Sequence, residues 1–309
     1  MSEIQTIGIV GAGLMGTGIA EVAALAGFDV ILCKAMPGNP LEARKRIEKS
    51  LAKAVDRGKL TAEARGAALD RLMVTSERTA LAGVDLVIEC IVEDMAAKKA
   101  LFAELAAIVR PDTVFASNTS TLRVSEMASA RPTRTIGMHF FSPVPAMKLV
   151  ELVHLPGTDP AVLGAATRFL ARLGKTVVPV MDSSGFVVNR LLVPYLVGAI
   201  AAYEQGLARA DEIDTAMRLG CGHPVGPLAL CDLIGLDIVY AMAKLLYADF
   251  HDARYSPPAL LRRLVQLGHL GKKSGLGFFD YRKDPVVPHE DVWSLVRTGA
   301  FREIRENAA

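Results

Sequence analysis

The sequence predicts an α/β domain built on a mostly parallel sheet, followed by an all-helical domain. Three observations carry this. Short apolar runs without polar alternation recur between charged helix-forming stretches as far as residue 180, as in strands buried on both faces. A glycine-rich turn follows the first of these runs directly. Beyond about residue 184 the runs give way to long helical patterns. A length of 309 residues suits two unequal domains. With 51% hydrophobic and 22% charged residues, a disordered, collagen-like or coiled-coil chain is excluded.

The elements follow in order. Residues 6–10 (TIGIV) form a strand, Gly11-Ala12-Gly13-Leu14-Met15-Gly16 a turn, and residues 19–26 a helical pattern stopped by Gly27. Residues 29–33 make a second strand, expected to run parallel to the first through a right-handed crossover. Residues 40–72, rich in Ala, Leu, Lys, Arg and Glu, read as two charged helices. Further strands are expected at 84–90, 113–117, 135–139, 148–153 and 175–180, with a helix over 95–109. The texture changes at Asp182-Ser183-Ser184-Gly185. Residues 187–206, 210–219, 227–248 and 257–267 then read as helices, with no strand until Gly277-Phe278-Phe279. The expected layout is a dinucleotide-binding domain over 1–184, a helical substrate and dimerisation domain over 185–282, and a polar tail over 283–309. One stretch of that tail, 291–305, is amphipathic.

Lys and Arg number 35 against 33 Asp and Glu, so the net charge of +2 makes no case for nucleic acid or a membrane surface. Cys33, Cys90, Cys221 and Cys231 form no CxxC pair and no metal-ligand spacing. No metal site is expected. Buried free thiols in a reducing cytoplasm are. The N-terminus has no basic segment of a signal peptide. The longest charge-free run, residues 4–20, is broken by five glycines and is short for a membrane span.

The chemistry begins at GAGLMG. Gly11 allows a tight turn, Gly13 lets backbone approach a pyrophosphate, and Gly16 lets the helix pack on the strand. The helix start then offers N–H groups and a positive dipole end to phosphates. Placed as the first strand-to-helix turn, the motif marks a Rossmann-type dinucleotide-binding domain. The rule also asks for an acid at the end of the second strand, to accept the ribose hydroxyls. That position is Lys34, and no acid follows until Glu42. Three readings stand: Lys34, with Arg44 and Lys45, holds a 2′-phosphate and the cofactor is NADP; backbone and water hold the ribose and it is NAD; or Lys34 is a solvated lysine with no role. NAD is favoured, because no Arg or Ser cluster directly follows Lys34.

His139 ends an apolar strand ahead of a Pro-bearing loop, on the side where α/β sheets place ligands. Glu151 is a lone acid in the apolar run LVELV, costly to bury without a partner. Adjacent strand ends would let this carboxylate orient the imidazole of a general base; a satisfied core histidine is the plainer alternative. Ser117-Asn118-Thr119-Ser120-Thr121-Leu122 sits at another strand end, where hydroxyls hold a substrate oxygen or cap the helix near Ser125. Asn189, on an apolar helix face, is a candidate polarising donor or a helix-packing contact.

Together these residues resemble the L-3-hydroxyacyl-CoA dehydrogenase family, including bacterial 3-hydroxybutyryl-CoA dehydrogenases. The likeness covers residues 6–281 through GAGLMGTGIA, VIECIVEDMAAKKALF, ASNTSTL, GMHFFSPVPAMKLVELV, DSSGFVVNRLLVPYL, GHPVGPLALCDLIGLD and GKKSGLGFFDY. The resemblance implies that His139 removes the 3-hydroxyl proton, that Glu151 pairs with it, and that Ser120 and Asn189 hydrogen-bond the reacting oxygen. It implies cofactor contacts at residues 11–16 (Gly11, Ala12, Gly13, Leu14, Met15, Gly16), at the Lys34 position, and at Glu93, Lys98, Ser142 and Lys273. Ser50, with Arg57 or Lys59, falls where the family contacts the acyl carrier. This chain departs from the family at Lys34, usually Asp, at Ser142, usually Asn, and in the stretch 34–40. The implied activity is NAD-linked hydride transfer at C3 of a 3-hydroxyacyl thioester, and the apolar helical domain suggests a symmetric homodimer. Two alternatives stand beside it. One is oxidation of a hydroxyacyl group, such as a glyceryl group, tethered to an acyl carrier protein in polyketide extender-unit biosynthesis. The other is a non-catalytic nucleotide-binding protein. Basic residues Arg46, Lys49 and Lys53 share one helix face near Ser50, which is either a solvated helix surface or a docking site for the CoA nucleotide or a carrier protein.

Overall fold

The computed structural model describes residues 3–36 and 38–302. The chain divides into two compact units, Met1–Phe186 and Val187–Ala309. The first unit runs β1 (Thr6–Val10), α1 (Leu14–Leu25), β2 (Asp29–Cys33), α2 (Leu41–Asp56), α3 (Ala62–Asp70), β3 (Leu72–Thr75), β4 (Leu86–Glu89), α4 (Met95–Ile108) and β5 (Val114–Ser117). It continues with α5 (Val124–Met127), β6 (Thr135–Phe140), β7 (Leu149–His154), α6 (Pro160–Arg172) and β8 (Thr176–Met181). The eight strands form one sheet in the order β3-β2-β1-β4-β5-β6-β7-β8. From β3 to β6 every neighbouring pair is parallel, while β7 runs antiparallel to β6 and pairs in parallel with β8.

Burial explains the apolar runs. Strands β4, β5 and β6 are buried at every residue, whereas of the edge strands β3 is half open and β8 largely open. Pro179 is tolerated in β8 because an edge strand does not need every backbone donor. Successive side chains go to opposite faces. Ile7, Ile9 and Ile88 join a core with α1, α2 and α6, while Val10, Val87 and Phe115 join a second core with α4. On α2, Ala43, Ile47 and Leu51 recur every four residues as the buried stripe of an otherwise charged helix.

Strand β3 is missing from the sequence expectation. It is four residues long, half open, and follows α3 after one residue, so its LMVT pattern carries too little signal to separate from the helix before it.

The second unit comprises α7 (Val188–Glu204), α8 (Ala210–Cys221), α9 (Pro227–Ile234), α10 (Leu236–Phe250), α11 (Ala259–Gln266) and α12 (Glu290–Thr298). A two-stranded antiparallel pair, β9 (Phe279–Asp280) with β10 (Val287–Pro288), adds to these helices. The helix expected over 227–248 is two. Gly235, at φ 106°, breaks it in a conformation that L side chains rarely adopt. The expected polar tail is structured as far as residue 302. Val292, Val296 and Phe301 pack into the same core as Leu228, Val239 and Leu260. The rest of the amphipathic stretch, beyond 302, lies outside the described residues. Buried thiols were expected throughout, but Cys221, the last residue of α8, is exposed.

Candidate active site

Strand β1 lies between β2 and β4, so the order of the sheet reverses there. A crevice opens at such a point beyond the carboxyl ends of the strands. The GAGLMG turn sits in it. Gly11 adopts φ 114°, and a Cβ on it would lie 2.3 Å from the Cys90 carbonyl oxygen. A Cβ on Gly16 would lie 1.8 Å from the Gly11 oxygen, so the helix meets the turn with no room for a side chain. Gly13 differs: a Cβ there would meet nothing within 4 Å. Its openness leaves room for an incoming group. No side chain caps the start of α1, and its first turn carries no acid. The leading N–H groups are therefore available to phosphate oxygens. A cleft of about 500 Å³ extends from this turn, walled by Lys34, Ala35 and Met36 after β2 and by Ala97, Leu101 and Glu104 of α4. Its shape and donors fit a dinucleotide.

The cations expected beside Lys34 are not those present. Arg44 turns away and donates to the carbonyls of Leu72 (2.8 Å) and Leu69 (3.3 Å); Lys45 is exposed and does not line the cleft. Arg46 and Arg78 line it instead. Arg46 donates to the Ala12 carbonyl at 2.7 Å, and Arg78 pairs with Glu104.

Behind the cleft lies a charged network that the sequence reading reached only in part. Lys98 (1% exposed) donates to Glu89 Oε1 at 2.7 Å, and Glu89 (0% exposed) accepts the Ser117 hydroxyl through Oε2 at 2.5 Å. On its other side the Lys98 ammonium lies 3.3 Å from Glu93 Oε2. Oε1 of Glu93 accepts from the Thr119 hydroxyl (2.6 Å) and the amides of Ser120 (2.9 Å) and Thr121 (3.1 Å). Burial opposes ionisation of Glu93, but the Lys98 charge and these donors outweigh it and hold the carboxyl below its ordinary range. Glu93, expected at the cofactor, is thus bound to the loop that carries Ser120, and Lys98, expected there too, pairs with Glu93. The SNTSTL run does not supply the helix cap: the amides of Val124 and Ser125 are taken by Asp182 at 2.8 and 2.9 Å. Glu89 had a visible signal, a lone acid ending an apolar strand nine residues before a lysine.

His139 and Glu151 stand directly opposite each other in the antiparallel β6–β7 ladder. Both are buried. The carboxylate can only accept, so His139 donates Nδ1–H to Glu151 Oε2 at 2.7 Å. That bond fixes the tautomer and leaves the lone pair on Nε2. Phe141 and Phe186 pack on the imidazole at centroid distances of 4.4 and 5.7 Å. Asn118 ties the neighbouring loop to this strand end, its Oδ1 accepting the Phe140 amide at 3.0 Å. The strand end bearing His139 and the loop bearing Ser120 are therefore fixed to each other.

Ser142 is exposed just past β6. Ser50 borders a second cavity of about 270 Å³, between α1, α2 and the loop Pro143-Val144-Pro145. Glu21 lines it too, only 7% exposed. Burial raises its carboxyl above the ordinary range, opposed by the Ser50 hydroxyl. Arg57 and Lys59 are exposed at the end of α2. In the second unit, Asn189 is buried in the first turn of α7, and Lys273 pairs with Asp237 at 2.5 Å.

The fold agrees with comparisons across known proteins. Residues 6–183 match the family pattern "3-hydroxyacyl-CoA dehydrogenase, NAD binding domain", and residues 185–281 match the C-terminal domain of the same family. A 3-hydroxybutyryl-CoA dehydrogenase of Mycobacterium tuberculosis is 47% identical over 282 residues, 90% of this chain and 99% of that one. A probable 3-hydroxybutyryl-CoA dehydrogenase of Bacillus subtilis is 42% identical, over 91% and 99% of the two chains. Among solved structures, an (S)-3-hydroxybutyryl-CoA dehydrogenase from Ralstonia eutropha superposes with a TM-score of 0.87 at 39% identity, covering 91% of this chain and 100% of that one. With both domain patterns matched in order and likeness over nine-tenths of its length, the chain belongs to the 3-hydroxyacyl-CoA dehydrogenase family.

Proposed function

We propose that this protein transfers hydride reversibly between NAD(H) and C3 of a short 3-hydroxyacyl-CoA, with 3-hydroxybutyryl-CoA as the first substrate to test. The observation that carries the chemistry is the buried His139–Glu151 pair. When bound, NAD supplies the hydride acceptor, and the residues of the chain do the rest. His139, its Nδ1–H held by Glu151, takes the 3-hydroxyl proton at Nε2. Glu151 keeps the imidazole oriented and stabilises the imidazolium that forms, without itself being protonated. Ser120, fixed through the Glu93 and Asn118 contacts, is assigned as a hydrogen-bond donor to the reacting oxygen. Asn189 carries the same assignment. Glu93, Lys98, Ser142 and Lys273 are assigned to the cofactor, with residues 11–16 at its pyrophosphate. Ser50, Arg57 and Lys59 are assigned to the CoA moiety; the cavity beside Ser50 supports the first of these.

The relatives named above act on CoA thioesters, and this favours CoA over a carrier protein. Exposed leucines in the second unit, Leu207 (76%) and Leu219 (81%), support a homodimer, measurable by sedimentation. Free cysteines at all four positions support a reducing compartment such as the cytoplasm.

Acetoacetyl-CoA reduction by NADH, followed at the NADH absorbance band, tests the reading. His139→Ala should cost about 10²–10⁴ in kcat while NADH affinity stays within about twofold. An unchanged kcat would remove His139 from the mechanism.

A further inference from the structure

One wall of the dinucleotide cleft has the wrong sign for a site selective against phosphate. Lys34, Arg46 and Arg78 line it, and Glu104 is its single acid among the described residues. Arg78 already engages that acid. No carboxylate stands at the end of β2, where acceptance of both ribose hydroxyls would reject a 2′-phosphate.

Strand pairing brings the cations to this end. Cys33 pairs with Thr75 in the β2–β3 ladder, and the Lys34 amide extends it by donating to the Thr75 carbonyl at 2.8 Å. Lys34 is therefore the first residue beyond β2, and Arg78 follows β3 by three residues at the same end of the sheet. The loop after Lys34 closes on its ammonium. A Cβ on Gly38, which has φ 128°, would lie 2.3 Å from Nζ.

We propose that the cleft accepts NADP(H) as well as NAD(H), with Lys34 and Arg78 holding the 2′-phosphate. This rests on the reading of the cleft as the dinucleotide site. Arg46 is committed to the Ala12 carbonyl beside the glycine turn and serves the pyrophosphate end. Arg78 meets Glu104 through Nη1, and its remaining N–H groups can turn to phosphate. Lys34 serves both cofactors. Its ammonium donates to ribose hydroxyl oxygens when the 2′-position is free, and to phosphate oxygens when it is esterified. The sequence alone favoured NAD because no cation directly follows Lys34; the second cation comes from the segment after β3, more than forty residues away.

The test is equilibrium binding, independent of turnover. NADH and NADPH are titrated by fluorescence against the full-length protein, and 2′,5′-ADP by calorimetry. The parent protein should bind NADPH within tenfold of NADH, and 2′,5′-ADP should bind more weakly as salt rises. Lys34→Asp should shift the NADPH-to-NADH ratio by at least tenfold toward NADH. Lys34→Met gives the same direction without adding a charge, should Asp disturb the strand end. Arg78→Gln, paired with Glu104→Gln to leave no unbalanced acid, should weaken NADPH binding and spare NADH. NADPH binding more than tenfold weaker than NADH in the parent overturns the inference, as does a ratio that moves less than tenfold in the Lys34 variants. A protein that binds NADH tightly and rejects NADPH leaves the dehydrogenase reading standing. One that binds neither overturns both.

Discussion

Two glycines of one motif should fail in opposite ways when replaced by alanine. At Gly16 the added Cβ would lie 1.8 Å from the Gly11 carbonyl oxygen. Real Cβ atoms essentially never approach a neighbour closer than 3.0 Å, so α1 must move off the turn by more than an ångström. Overpacking of this kind costs about 1–3 kcal/mol or more. For a unit of 186 residues that lowers Tm by roughly 2–12 °C, at about 2–4 °C per kcal/mol. At Gly13 the backbone has φ −76° and ψ −164°, which alanine adopts freely, and a Cβ there meets nothing. The only stability cost is the poorer N-cap, below about 1 kcal/mol. The methyl instead occupies space that the pyrophosphate needs. Losing two charge-assisted hydrogen bonds of roughly 1.5–3 kcal/mol each, partly recovered by water, should weaken NADH binding about a hundredfold. Circular dichroism melting and NADH fluorescence titration separate the two effects. Gly13→Ala should melt within about 3 °C of the parent and bind poorly, whereas Gly16→Ala should melt early. If Gly13→Ala binds NADH as the parent does, the dinucleotide does not approach the turn there, and the account of the motif fails.

Three further outcomes follow from the same geometry. Glu151→Gln keeps a hydrogen-bond acceptor opposite His139 but removes the countercharge to the imidazolium, so kcat should fall by roughly tenfold or more with KM little changed; equal kcat would make Glu151 a structural residue. Lys49 and Lys53 reversed to Glu should raise KM for acyl-CoA, more so at low salt, with kcat nearly constant; an unmoved KM would reduce that exposed face of α2 to solvated surface. Asp232, raised by burial from 3.8 to about 7, binds a proton in the folded protein that the unfolded chain has lost over that interval, so stability contributed there falls as pH rises from about 4 to 7. Asp232→Asn should flatten the melting temperature against pH across that window, and an unchanged slope would show a carboxyl ionised throughout.

The parts legible in the sequence were those with a local cause. GAGLMG is read from its own glycines, and the strands β4 to β6 from uninterrupted burial. The His139–Glu151 pair was legible for another reason. Each is a lone polar residue in an apolar strand, and two such residues twelve apart around a Pro-bearing turn suit a hairpin-like register. What escaped depended on direction or distance. The spacing of Arg44 and Arg46 says that they point differently, but not which one enters the cleft; packing of Ala43, Ile47 and Leu51 on the sheet decides that. Arg78 reaches the cleft only because β3 exists, and β3 was itself too short and open to be read. The break at Gly235 escaped because a glycine inside a helical pattern is often tolerated.

The charge network explains why this site is built at strand ends rather than on free loops. Glu89, Lys98 and Glu93 place two carboxylates around one ammonium. Such a set is stable only when every remaining lone pair finds a donor. Glu89 finds Ser117 and the Ile91 amide, and Glu93 finds Thr119, Ser120 and Thr121. Those donors all come from the carboxyl ends of β4 and β5, which the ladder holds in register at Glu89 and Ser117. Satisfying the charges therefore fixes the backbone of the Ser120 loop. His139 is fixed the same way from the other side, by Glu151 across the ladder and by Asn118 on the next amide. Removing Glu93 would leave Lys98 with one partner and free the amides of Ser120 and Thr121. Loss of reaction rate and loss of cofactor affinity should accordingly go together there, while at His139 they separate.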